Sequence, residues 1–189
     1  YAKSQSLVPA YMDCLVRELG AIKRHVMETG QTIQSVYIGG GTPGVLPLPF
    51  LDMLLNAIDD LCTKETKEVT FEAGRPEVFD DEKQKNVKNH FVTRICINPQ
   101  SMDDDILRNI GRSHTVNDIT KCFDNAVKNG LDNINTDMII GLPGETMSTF
   151  PRNLQRLLDL GQQSVTVHTL AMKKKAVLMQ DDNAQELVN

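Results

Sequence analysis

The chain has 189 residues, 40% of them hydrophobic and 24% charged, which suits one domain able to bury roughly 70% of its unfolded surface and excludes disorder or a fibrous repeat. With 20 Lys and Arg against 25 Asp and Glu, the net charge of -5 leaves no basic surplus for a phosphate backbone, so nucleic acid is not an expected partner. No apolar run approaches the roughly 20 residues of a membrane span and Tyr1–Ser6 is polar rather than a signal peptide, so no membrane partner and a cytoplasmic location are expected.

Tyr11, Leu15, Leu19, Ile22 and Val26 recur at helical spacing between Pro9, suited to a first turn, and Gly30, suited to a left-handed cap. They predict an amphipathic helix with that stripe inward. Ser35–Ile38 reads as a buried strand that stops at Gly39, Gly40 and Gly41. Leu51, Leu54, Leu55, Ile58 and Leu61 form the next helical stripe, and Val69–Ala73 the next strand. Segment 80–89 has Val87 as its only aliphatic residue, so it is a helix by context with a poorly specified inner face.

Arg94–Asn98 is a third strand, and Asp103 caps a short helix running to Ile110. Thr115 and Asp118 form a capping box for a longer helix, with Val116, Ile119, Phe123, Ala126 and Val127 on one face and Gly130 at its end. Ile134–Ile140 is a strand and Gly141–Gly144 is turn chemistry. Phe150, Leu154, Leu157 and Leu158 mark a helix that tolerates Pro151 only by starting near Thr149, and Val165–Leu170 is the last strand. The predicted strands cover 33–38, 68–73, 93–98, 133–140 and 164–170 with a helix in every gap. Such alternation predicts an α/β fold with a parallel sheet and right-handed crossovers. Residues 174–189 read as a tail or the start of a further segment, and the absence of an initial Met reads as a piece of something longer.

In parallel α/β architectures, ligands sit at the C-terminal ends of strands, where loops and free amides converge. There this chain places Gly39–Pro43, Glu72–Pro76, Asn98–Ser101 and Asp137 with Gly141–Gly144 beyond it. The glycine run lets a backbone approach a ligand closely, or simply makes a tight turn; it lacks the lysine of a P-loop and the spacing of a dinucleotide fingerprint. Glu72 suits ribose hydroxyls and Arg112 a carboxylate, although the simpler account of each is a solvated charge or surface ion pair. Asp137, inside an apolar run, is expected to be partly buried and paired, either structurally or to a ligand.

The four cysteines, Cys14, Cys62, Cys96 and Cys122, lie 48, 34 and 26 residues apart, without a metal-binding spacing. They are expected to be buried reduced thiols, with Cys96 and Cys122 as packing residues. His25 and His90 are expected to face solvent, and His114 and His168 to be structural. No serine or cysteine shows an activated-triad motif.

The ordered motifs VYIGGGTP, VTFEAGRP, RICINPQSM, IGRSHT, INTDMIIGLPGET and VTVHTLAMK resemble the radical S-adenosylmethionine enzymes related to oxygen-independent coproporphyrinogen III dehydrogenase. The resemblance runs from about Leu7 to Lys173 and implies a radical S-adenosylmethionine core over 1–173. That core would be a partial (β/α)6 TIM-like barrel with its first strand missing. It also implies S-adenosylmethionine and a 4Fe-4S cluster as cofactors, an electron donor, and a porphyrinogen or haem as the small-molecule partner. By motif, Gly40, Gly41 and Thr42 would meet the methionine amino end, Glu72 the ribose, Gln100 the adenosine side, Arg112 the methionine carboxylate, and Asp137 would complete the pocket.

The chain departs from that family in lacking its CxxxCxxC cluster loop, so no metal ligand or catalytic residue is expected within it and the chain alone is expected to be inactive. Phe91 stands where relatives tend to have glycine, which would remove a helix cap and strain the turn. The implied activity is oxidative decarboxylation of porphyrinogen propionates; a haem-binding or haem-delivering protein on the same barrel is the alternative.

Overall fold

The structure is a computed structural model and describes residues 5–171. Five strands, β1 (Ser35–Ile38), β2 (Glu68–Gly74), β3 (Arg94–Gln100), β4 (Ile134–Ile140) and β5 (Ser164–Thr169), form one sheet in sequential order. Every neighbouring pair is parallel. The connections carry α2 (Leu48–Asp59), α3 (Asp81–Lys88), α4 (Asp104–Asn109), α5 (Val116–Lys128) and α6 (Thr149–Leu158), while α1 (Val8–Thr29) precedes β1. The parallel α/β alternation is as the sequence predicts, and the sheet curls into a half-barrel. The tail expected over 174–189 lies outside the described residues.

Side-chain parity divides the sheet. Val69, Phe71, Ala73, Ile95, Ile97, Ile134 and Met138 face the helices and join Leu51, Leu55, Leu107, Ile119 and Phe123 in one apolar core. Phe71 meets Phe79 from the following turn with ring centroids 5.7 Å apart. Alternate residues form the opposite face, which is polar: Glu68 and Glu72, Arg94 and Asn98, Asn135 and Asp137, Ser164 and Thr166. A parallel sheet with helices on both faces would be apolar throughout. This polar inner face is therefore left for water or a ligand.

Local chemistry accounts for the helix ends. Gly30, with φ of 65°, closes α1, and Asp103 accepts from the amides of Asp105 and Ile106 to open α4. Thr115 and Asp118 make the expected capping box, and α6 begins at Thr149 so that Pro151 falls in its first turn. The inner face of α3 is completed by a polar residue. Gln84 is fully buried and donates to the carbonyls of Phe79 and Cys122, at 3.0 and 3.1 Å, stapling α3 to α5 beside Val87.

Five expectations need correction. Tyr11 and Ile22 are 63% and 43% exposed, and the inward side of α1 instead centres on Met12, because α1 packs mainly against α2. Val127 on α5 is likewise exposed. His90 does not face solvent: its ring is held between Asp59 and Asp52 of α2, at 2.7 and 3.4 Å. Phe91 shows no left-handed strain, since Gln100 is the only non-glycine with positive φ among the described residues, and the Phe91 amide is capped by Asp59 at 2.9 Å. Cys14 is an exposed thiol and Cys62 only partly buried, whereas Cys96 and Cys122 are buried.

Candidate cofactor site

The residues with ligand chemistry gather at the C-terminal ends of the strands. At the end of β1, Gly40 and Gly41 adopt φ of 83° and 72°, a region closed to most side chains. At Gly39 a Cβ would lie 2.7 Å from Glu72 Oε2 and 2.4 Å from the Tyr37 ring, so a larger residue there would displace those two side chains. The next residue, Thr42, rests its methyl over Gly74 at the end of β2, where a Cβ would lie 2.5 Å from Thr42 Cγ2. The glycine loop is thus seated directly on the neighbouring strand.

Glu72 lies on the polar face of β2. Tyr37 Oη donates to its Oε2 and Asn98 Nδ2 to its Oε1, each at 3.4 Å. The Tyr37 phenol is pushed up to about 12 by desolvation and by the neighbouring acidic groups of Cys96, Glu72 and Asp137. Strand parity places Glu72 and Asp137 on the same side of the sheet. Asn135 donates to Asp137 Oδ1 at 3.1 Å, and His168 Nε2 stands 3.9 Å from Asp137 Oδ2. Below them Asn135 Oδ1 accepts from Ser164 at 2.8 Å and from Arg94 at 3.1 Å.

The end of β3 is irregular. Its register with β4 shifts between Ile97 and Gln100, and Gln100 takes φ of 71°. Both the Gln100 Oε1 and the Asn98 Oδ1 atoms are buried without a hydrogen-bond partner. Arg112 enters through its loop, which Ser113 and His114 tie to Glu77 at 2.9 and 2.8 Å and His114 ties to the Pro99 carbonyl at 3.3 Å. Glu77 follows β2 and Pro99 belongs to β3, so this loop is fastened to the same end of the sheet. Gly40, Gly41 and Thr42 follow β1 and Gln100 ends β3, whereas Glu72 lies two residues before the end of β2 and Asp137 in the middle of β4; the Arg112 loop is anchored beside the ends of β2 and β3.

The profile of the radical SAM superfamily matches residues 5–157. The chain belongs to that superfamily. Among radical SAM relatives, it is 36% identical over 161 residues to the oxygen-independent coproporphyrinogen-III oxidase-like protein HemZ of Bacillus subtilis, covering 83% of this chain and 32% of that protein. It is 32% identical over 173 residues to the heme chaperone HemW of Lactococcus lactis, covering 91% of this chain and 44% of that protein. The fold matches that of the coproporphyrinogen III oxidase HemN of Escherichia coli, a radical SAM enzyme, with a TM-score of 0.77 at 21% identity over 98% of this chain and 41% of that one. The chain thus spans well under half the length of these relatives.

Radical SAM membership implies S-adenosylmethionine and a 4Fe-4S cluster. The polar face fits the first, because its carboxylates and the unpartnered Asn98 amide oxygen offer acceptors and the positive-φ glycine turn beyond β1 lets a backbone come close. The residues present do not fit the second. No group of three His, Cys, Asp or Glu side chains able to hold a metal occurs among the described residues, and the sequence contains no CxxxCxxC. No described helix is long and apolar enough to cross a membrane.

Sequence reasoning passed over Tyr37 as a site residue and placed Asn98 at a ligand-bearing strand end without giving it a role. The signal that finds both is strand parity, since each falls on the same face as Glu72.

Proposed function

We propose that this chain is the S-adenosylmethionine-binding part of an oxidoreductase resembling oxygen-independent coproporphyrinogen III dehydrogenase, acting by oxidative decarboxylation of porphyrinogen propionates. The observation that carries this reading is the polar inner face, with Glu72 held between Tyr37 and Asn98 beside the glycine loop. The 36% identity to the HemZ protein supports the choice of substrate class. When bound, S-adenosylmethionine supplies a sulfonium group that can be cleaved by one-electron reduction.

In this reading Glu72 accepts from the ribose hydroxyls and Arg112 pairs with the methionine carboxylate. The Gly40–Thr42 backbone receives the methionine amino end, Gln100 contacts the adenosine, and Asp137 closes the far side. A haem-delivering role is the second reading, favoured by the 32% identity to the heme chaperone HemW.

The test uses the whole protein, reconstituted anaerobically with its cluster and supplied with a strong reductant and coproporphyrinogen III. A decarboxylated porphyrinogen is the expected product, with Glu72→Ala lowering its rate by about 10²-fold, the scale of losing charged contacts to a bound group. Tight haem binding without any such product would replace the enzyme reading with the carrier reading.

A further inference from the structure

Asn98 makes a poor structural residue. Its amide nitrogen meets Glu72 Oε1 at 3.4 Å, and the orientation is settled chemically because a carboxylate only accepts. Its oxygen is thereby turned to a buried position with no hydrogen-bond partner. An unpaired buried acceptor destabilises a fold, so an apolar side chain would serve the strand at least as well. What Asn98 does provide is a fixed donor beside Glu72.

Tyr37 matches it from the other side. Its hydroxyl stands 3.4 Å from Glu72 Oε2, and the phenol, pushed up to about 12, remains a proton donor throughout the neutral range. Its ring lies on the polar face of the sheet, away from the core cluster. Gly39 leaves room for the arrangement, since a Cβ there would press on both the Tyr37 ring and the Glu72 carboxylate. One oxygen of the carboxylate is tied to β1 and the other to β3, and both ties are long. Each oxygen keeps further lone-pair capacity.

We propose that Tyr37 and Asn98 are positioning residues for Glu72, holding the plane of its carboxylate so that its remaining lone pairs accept both hydroxyls of a vicinal diol such as the ribose of an adenosyl group. This rests on the adenosyl reading of the site. A site built to accept two hydroxyls rejects the analogue that lacks one, because an acceptor is then left unpaired. The pair therefore sets selectivity for a ribose over a 2′-deoxyribose, acting through Glu72.

The test is equilibrium binding of S-adenosylhomocysteine and its 2′-deoxy counterpart to the whole protein, together with thermal unfolding. Asn98→Ala should weaken binding of the diol ligand ~10-fold, the size of one hydrogen bond to a charged group, and narrow the preference over the deoxy ligand. Its Tm should hold or rise, whereas a structural asparagine would lower it. Tyr37→Phe should act in the same direction, and neither change should matter further in a Glu72→Gln background. Asn98→Asp, of the same shape, replaces the donor with an acceptor and should lose more affinity than Asn98→Ala. Wild-type protein that binds S-adenosylhomocysteine while Asn98→Ala keeps full affinity and preference would overturn this inference alone. Wild-type protein that binds neither ligand would overturn the adenosyl reading and this inference with it.

Discussion

At the scale of single residues, the site is marked by groups that the fold itself has no use for. Gln100 is 9% exposed, has a buried amide oxygen without a partner, and holds a left-handed φ of 71°. A non-glycine residue in that region costs about 1–2 kcal/mol. Gln100→Gly should therefore raise stability by ~1 kcal/mol in urea unfolding while weakening S-adenosylhomocysteine binding to the whole protein. A loss of stability with unchanged binding would make Gln100 an ordinary structural residue. The sequence marks Gln100 by its motif, but neither the strain nor the orphan oxygen is visible there. Both arise from the register shift between β3 and β4, which depends on two strands at once.

At the scale of elements, chain-local rules were legible and pairwise ones were not. Caps, strand runs and the proline constraint on α6 are set by residues a few positions apart, and the structure reproduces them. The inner face of α3 was not legible, because Gln84 is buried only through carbonyls of Phe79 and of Cys122 on α5. His90 and Phe91 were misread for the same reason, since both depend on Asp59, about thirty positions away on α2. The capping box of α5 carries a pH dependence. The hydroxyl and amide of Thr115 donate to Asp118 at 2.7 and 2.8 Å and hold its carboxyl below the usual carboxylate range. A lowered folded value stabilises the protein above the ordinary aspartate value of about 4 and is lost as pH falls through the folded one. Asp118→Asn should lower stability at neutral pH and flatten its decline below about pH 4, as read by thermal unfolding across that range.

At the scale of the whole molecule, the polar face and the thiols answer different questions. The face gathers acceptors from β1 to β5 on one side of the sheet, which suits a polar ligand. The thiols are dispersed: Cys14 lies on α1, Cys62 just after α2, Cys96 on the polar face of β3 and Cys122 on α5 in the core. A 4Fe-4S cluster requires thiolates that converge on one space. Burial also pushes the Cys62 and Cys96 thiols up and Cys122 to about 12, so the thiolate forms that bind iron are disfavoured. Anaerobic reconstitution of this chain with iron and sulfide should give no stable visible absorption of the 4Fe-4S type. In the native state iodoacetamide should label Cys14 well before Cys96 or Cys122, because it alone is exposed. A stable cluster that disappears when any of three of these cysteines is changed to serine would show that the chain rearranges around iron, and the separation of the ligand face from the thiols would then fall.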